Sequence, residues 1–187
     1  YYATTTKFKK YDTYIFDDPS RYFDLQESEV FNGNLDPSGD ASFNFEPNMD
    51  AQAPGMLKAS FLTKVYENGG DFSTNVTTKT YSPYDTYVGV DVPLGDKQRG
   101  MLLTDTEHNF DVITVGQSGS PKATKNLEVK VYKVNWRWWW QSQSGSLSRY
   151  EAREYRQEVY SNTINTTSTG KGSFKFSLKS PECDRYL

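Results

Sequence analysis

The chain has 187 residues, with 21 basic and 24 acidic side chains and a formal net charge of -3. That near balance excludes the basic face by which a protein grips nucleic acid or an anionic membrane. Only 35% of residues are hydrophobic, but 16% are aromatic, and large rings can fill thin cores and keep a polar chain folded.

Alternation with period two dominates the sequence, as expected of strands with one buried face. Residues 7–16, Lys-Phe-Lys-Lys-Tyr-Asp-Thr-Tyr-Ile-Phe, read as a first long strand. A strand over 29–35 follows, and Asp36-Pro-Ser-Gly39 suits a type I turn with Gly in its last position. Phe43 and Phe45 then alternate with Ser42, Asn44 and Glu46. Leu57, Ala59, Phe61, Thr63 and Val65 face one way, with Lys58, Ser60 and Lys64 opposite. Asn68-Gly-Gly-Asp71 suits a tight hairpin. A new strand begins at Tyr87, and the turn at 104–109 leads into another over 110–115. Gly116-Gln-Ser-Gly-Ser-Pro121 and Thr169-Gly-Lys-Gly172 mark breaks. Helical periodicity is nearly absent, the nearest case being the charged stretch 148–157.

The stretch 127–140 carries the most information. Apolar residues fall on Leu127, Val129 and Val131, then on Tyr132, Val134, Trp136, Trp138 and Trp140. The phase changes between Val131 and Tyr132. A straight strand would put its halves on opposite faces, and one inserted residue would return them to the same face. A β-bulge is therefore expected there. Trp136, Trp138 and Trp140 are expected in a core, with Trp139 and Arg137 pointing away from it. These two form the candidate interface, a cation–π pair, with covering of Trp139 by the loop around residues 146–155 as the alternative to an exposed platform.

The two halves of the chain resemble one another. Residues 7–16 match 129–138, and 29–45 match 158–176, each as strand, Gly turn and Phe-x-Phe strand. The expected architecture is all-β: two β-sandwich domains, 1–84 and 85–187, with the boundary and a candidate hinge near Ser82–Thr86. The first domain is expected to lack its first strands, and the second its last strand or two. The chain opens Tyr1-Tyr-Ala-Thr without a leader pattern, so a piece of a larger protein is expected. Edges left open in this way invite strand pairing between copies.

No catalytic constellation emerges. His108 is the single histidine, and Asp105 and Asp111 lie near it in sequence, but the spacing matches no triad pattern. Cys183 is the single cysteine, so an internal disulfide is excluded, and its reading is a small hydrophobe, buried or at an edge. One His and one Cys cannot build a zinc site. Asp36-Pro-Ser-Gly-Asp40 lacks the alternating ligands of a calcium loop. The carboxylate pairs Asp17–Asp18, Glu27–Glu29 and Glu151–Glu154 have nothing that singles them out from solvated faces. No cofactor and no metal is expected.

Several segments carry a family likeness. Val-Lys-Val-Tyr-Lys-Val-Asn-Trp-Arg-Trp-Trp-Trp over 129–140 resembles a strand of bacterial alpha-2-macroglobulins of the Bacteroidetes type, in the domain before the bait region. Tyr-Val-Gly-Val-Asp-Val-Pro-Leu-Gly-Asp over 87–96 resembles the opening of that domain. Residues 180–187 resemble its closing strand, with Cys183 and Asp184 where Trp and Gly are expected. Residues 31–40, 54–58 and 66–71 resemble the preceding macroglobulin domain.

The resemblance implies Ig-like and fibronectin III-like sandwiches in a periplasmic or cell-envelope protease trap, its parent anchored as a lipoprotein. In that family a protease cuts a bait region, the molecule changes shape, and a thioester in a Cys-x-Glu-Gln motif captures the attacker. Here Cys183 is followed by Asp-Arg-Tyr, so the covalent chemistry is not expected in this segment. The family's order places the bait beyond residue 187. The polar stretch 141–149, with Arg149 and Arg153, is accordingly read as a connecting loop. The implied role is non-catalytic scaffold of a broad-spectrum protease inhibitor, partnered by neighbouring macroglobulin domains and, through the parent, by target proteases. The competing reading is a carbohydrate-binding β-sandwich of a secreted polysaccharide-degrading system, with a platform around Trp139.

Overall fold

The computed structural model describes residues 1–21, 23–25, 27–45, 53–67, 69–134, 156–180 and 185–187. Among these the regular structure is all β, in nine strands: β1 Tyr2–Ala3, β2 Leu57–Tyr66, β3 Phe72–Tyr81, β4 Tyr87–Asp91, β5 His108–Val115, β6 Leu127–Val134, β7 Arg156–Ile164, β8 Lys171–Phe176 and β9 Arg185–Tyr186. All pairings are antiparallel, in three sheets ordered β1-β2-β3, β4-β5-β8 and β7-β6-β9. The chain divides into two compact units. One comprises Tyr1–Thr6 with Asp17–Tyr84, the other Lys7–Phe16 with Asp85–Leu187.

In the first unit, β2 and β3 pair along their whole length from Leu57↔Tyr81 to Tyr66↔Phe72. The turn is closed by Gly70 N–H donating to the Glu67 carbonyl at 3.0 Å, with Gly70 at φ 91°. Only the base of this ladder is buried. Leu57 joins Phe23, Ala53, Tyr1, Tyr81 and Tyr84 in a small core, and Ala59 is also buried. Further out the alternation continues without a surface to cover it, and Leu62 and its direct partner Val76 are both 61% exposed. Alternation thus predicted the strand but not the extent of its burial.

The strands expected over 29–35 and 41–45 are not formed. The turn between them is. The Asp36 carbonyl accepts from Gly39 N–H at 2.9 Å, and Asp36 Oδ1 accepts from the Ser38 and Asp40 amides at 2.9 Å each. The Phe31 and Phe43 rings stack across it at 4.8 Å. Among the described residues no third strand pairs with these arms to stabilise a ladder, and isolated pairs are marginal in water.

The second unit is a sandwich. β5 places Phe110 and Val112 inward with Val88, Val90, Phe174 and Phe176 of its own sheet. The facing sheet contributes Leu127, Val129, Val131, Tyr160, Ile164 and Tyr186. Tyr160 meets Phe174 at 6.1 Å and Phe176 at 5.4 Å. Two inner faces interlocked through rings give the core that aromatic-rich composition anticipates. One edge is closed by a hydroxyl relay. The buried Thr114 hydroxyl donates to the Lys122 carbonyl at 2.5 Å and meets Thr166 Oγ1 at 2.7 Å. Thr166 Oγ1 in turn accepts from Thr124 N–H at 2.8 Å.

The irregularity expected between Val131 and Tyr132 is present. Val131 lies opposite Tyr160 and Tyr132 opposite Glu158, so the extra residue is Val159, on the partner strand β7. That location corrects the single-face reading. With the insertion in β7, β6 keeps its own alternation. Lys133 lies directly opposite Tyr186, whose ring meets Phe176 at 6.2 Å in the interior, and directly opposed residues share a face. Tyr132 and Val134 therefore occupy the other face, where Val134 is nonetheless buried. Trp136, Arg137, Trp138, Trp139 and Trp140 lie outside the described residues, as does Cys183.

Residues 7–16 are not the long strand expected, and they do not repeat β6. Turns occupy Lys9–Lys10 and Asp12–Thr13, and only Ile15 makes a β-bridge, with Val90. The segment packs within the second unit instead.

Candidate functional site

His108, Asp105 and Asp111 are each engaged in local structure. His108 opens β5, and its Nε2 donates to the Leu103 carbonyl at 2.8 Å, which fixes that nitrogen as the protonated one. Asp105, at φ 56°, accepts from Ser180 N–H at 3.3 Å on both oxygens. Asp111 accepts from Asn109 Nδ2 at 2.9 Å. These bonds do not join His108 to a carboxylate or a hydroxyl, so the geometry of a triad is not assembled.

The Asp17–Asp18 pair is likewise committed. Asp17 accepts from Thr6 N–H at 3.1 Å on both oxygens, while Asp18 caps Ser20 and pairs with Arg21 at 3.0 Å. Bonds from Ser38, then from Asp40, hold the Asp36 carboxyl below the usual carboxylate range, as a self-contained turn does. Glu27 and Glu29 are exposed, and Glu151 and Glu154 lie outside the described residues. Among the described residues no group of three or more His, Cys, Asp or Glu side chains is placed to hold a metal ion.

The surface with the most specific geometry is the outer face of β4-β5-β8. Tyr87, Ile113 and Val115 point there, and all three are buried. Residues Lys7–Phe16 cover them. Phe8 packs edge-on to Phe16 at 4.8 Å and to Tyr87 at 5.7 Å. Ile15 and Val90 exchange backbone bonds at 2.9 and 3.0 Å, and Thr13 Oγ1 donates to Asp91 at 2.8 Å. Two glycines shape the seat. A Cβ on Gly89 would stand 2.6 Å from the Phe16 ring, and one on Gly119, at φ 78°, would stand 2.8 Å from Phe8. Burial, with the charges of Asp111 and Asp91 beside it, pushes the Tyr14 hydroxyl above its usual range.

Sequence reasoning missed this surface. Its one legible signal is Gly89, an isolated glycine inside a strand pattern, which marks close approach of another segment.

Residues 89–186, more than half of the chain, match the family model of bacterial macroglobulin domain 6, and the chain belongs to that family. Two solved structures are similar to 66% of the chain at 17% identity. One is the native conformation of the alpha-2-macroglobulin of E. coli, seen by cryo-electron microscopy, with a TM-score of 0.35. The other is the E. coli alpha-2-macroglobulin activated by porcine elastase, with a TM-score of 0.33. The chain spans only 8% and 11% of those two chains. No curated protein matches the chain.

Proposed function

We propose that this chain is non-catalytic scaffold of a bacterial alpha-2-macroglobulin-like, broad-spectrum protease inhibitor of the Bacteroidetes type. It works in the periplasm or cell envelope, in a parent anchored as a lipoprotein. Its direct partners are neighbouring macroglobulin domains of that parent, and it meets target proteases only through the parent. The membership of residues 89–186 in the macroglobulin domain 6 family is the observation that carries this reading. The engagement of His108, Asp105 and Asp111 in local bonds agrees with it.

Within such a trap the sandwich moves as a body, and the chain between units must absorb the motion. Tyr84 is held on one side, its hydroxyl donating to the Ala53 carbonyl at 2.5 Å. Thr86 is held on the other, its hydroxyl accepting from Lys122 Nζ at 2.6 Å. The chain passes between the units at Thr6–Lys7, Phe16–Asp17 and Tyr84–Asp85, and we place the hinge at these three peptides together.

The test uses the full-length parent. Incubated with an excess over a protease, it should suppress cleavage of a large protein substrate while a small chromogenic peptide is still cut. Replacing Val112 with Asp in the sandwich core should abolish that difference. A parent that leaves both substrates equally digested, or a hydrolase activity lost on His108→Ala, would overturn the reading.

A further inference from the structure

We propose that the outer face of β4-β5-β8 is a peptide-docking surface whose resident occupant, residues Lys7–Phe16, can be exchanged for the same segment of a second copy of this chain. The inference rests on the geometry of this face and is independent of the inhibitor reading.

The surface has the parts of a binding site. It has two ring seats, one over Gly89 for Phe16 and one over Gly119 for Phe8. It has an open strand edge, since β4 is the outermost strand of its sheet and meets Ile15 through a single bridge. Strand addition at an edge with side-chain pockets beside it is a recurrent mode of peptide recognition. It also has a polar fix, the Thr13–Asp91 bond at 2.8 Å.

The occupant is lightly held. Of its ten residues only Phe8 and Phe16 are buried, and Ile15 is 60% exposed. Its residence therefore owes much to its tether, because a linked segment acts at an effective concentration near millimolar. Both ends of the loop are fixed outside the seat by the Thr6–Asp17 bonds and by Met56 N–H donating to Thr6 Oγ1 at 2.7 Å. The loop can then leave as a unit, without unravelling what precedes and follows it. The chemistry of an acceptable occupant follows: an extended segment with two aromatic residues eight apart and a backbone able to pair beside the second.

The test uses the whole chain and a fluorescein-labelled synthetic peptide of residues 6–17. Phe8→Ala with Phe16→Ala weakens the resident loop and leaves the seat intact. That double variant should bind the peptide at least tenfold more tightly than the wild type, whose tethered loop competes. A peptide with both Phe replaced by Ala should not bind. Adding Gly89→Ala to the double variant should abolish binding, because the Cβ fills the Phe16 seat. An equimolar mixture of wild type and double variant should form a heterodimer in sedimentation that neither forms alone at the same concentration.

Should the double variant fail to fold, Ile15→Pro provides a second route. It removes the N–H that donates to the Val90 carbonyl at 2.9 Å and leaves both buried rings in place. Equal binding to wild type and variant would overturn the proposal. So would an absence of binding to a variant whose β6–β7 amides remain protected from hydrogen exchange.

Discussion

Replacing Thr114 with Val removes one hydroxyl from a fully buried relay and changes little else, since the two side chains are nearly the same shape. The relay runs from Thr124 N–H to Thr166 Oγ1 at 2.8 Å, from there to Thr114 Oγ1 at 2.7 Å, and on to the Lys122 carbonyl at 2.5 Å. The variant leaves the Lys122 carbonyl without its hydroxyl donor and the Thr166 hydroxyl with only a long 3.4 Å bond to the Thr124 carbonyl. A buried group left unsatisfied costs about 1–3 kcal/mol, so a loss of about 2 kcal/mol is expected. For a body of about 100 residues that corresponds to a fall in Tm on the order of 10 °C. Thr166→Val should cost about the same, because it strands Thr124 N–H.

The double variant distinguishes a relay from two separate bonds. The Thr166 hydroxyl stranded by the first change is absent once both are made, so the double loss should fall short of the sum by about 1 kcal/mol. Urea denaturation, followed by tyrosine fluorescence at constant m-value, measures all four corners of the cycle. Additivity within about 0.5 kcal/mol, or a single-variant loss below that figure, would refute the relay.

Three further outcomes are expected. Leu57→Ala should cost about 2–5 kcal/mol, since its side chain is fully buried, whereas Leu62→Ala, on the exposed part of the same strand, should stay within about 0.5 kcal/mol. Urea midpoints compare them directly. Gly119→Ala should destabilise by about 1–3 kcal/mol, because φ is 78° there and the added Cβ meets Phe8; an unchanged Tm would contradict the described seat. Asp36 has a folded-state pKa below its ordinary value. Its contribution to the turn is therefore complete above the ordinary carboxylate range and is lost as pH falls through the lowered value. The Ser38 and Asp40 amide resonances, followed on acidification, should move with that titration, and Asp36→Asn should suppress the shift.

Local rules in the sequence fared well wherever one strand's pattern settled the matter. The hairpin at residues 67–71, the Asp36 turn and the pattern of β8 follow from glycine placement and alternation. The irregularity beside Val131 also follows from a phase change within one segment. Which strand carries the extra residue does not, because Val159 is recognisable as unpaired only once β6 and β7 are in register. Residues 7–16 failed for a related reason. Their alternation resembles a strand, but Phe8 and Phe16 satisfy it against Tyr87 and Gly89, far along the chain. Periodicity reports that a side is apolar and is silent on what will cover it. The candidate site was correspondingly opaque. Gly89 hinted at a close approach, and nothing local to Phe16 named its seat.

The position of that loop in the chain has a consequence for biosynthesis. Thr13 and Asp91 are 78 positions apart, and a ribosome adding about 5–20 residues per second needs roughly 4–16 s to cover that distance. During this interval neither Phe8 nor Phe16 has the Tyr87 and Gly89 surface to rest on. The earliest-made part of the second unit must wait for β4. A chaperone that shields short aromatic stretches would find its client there, before the strand that carries Tyr87 and Gly89 has been translated.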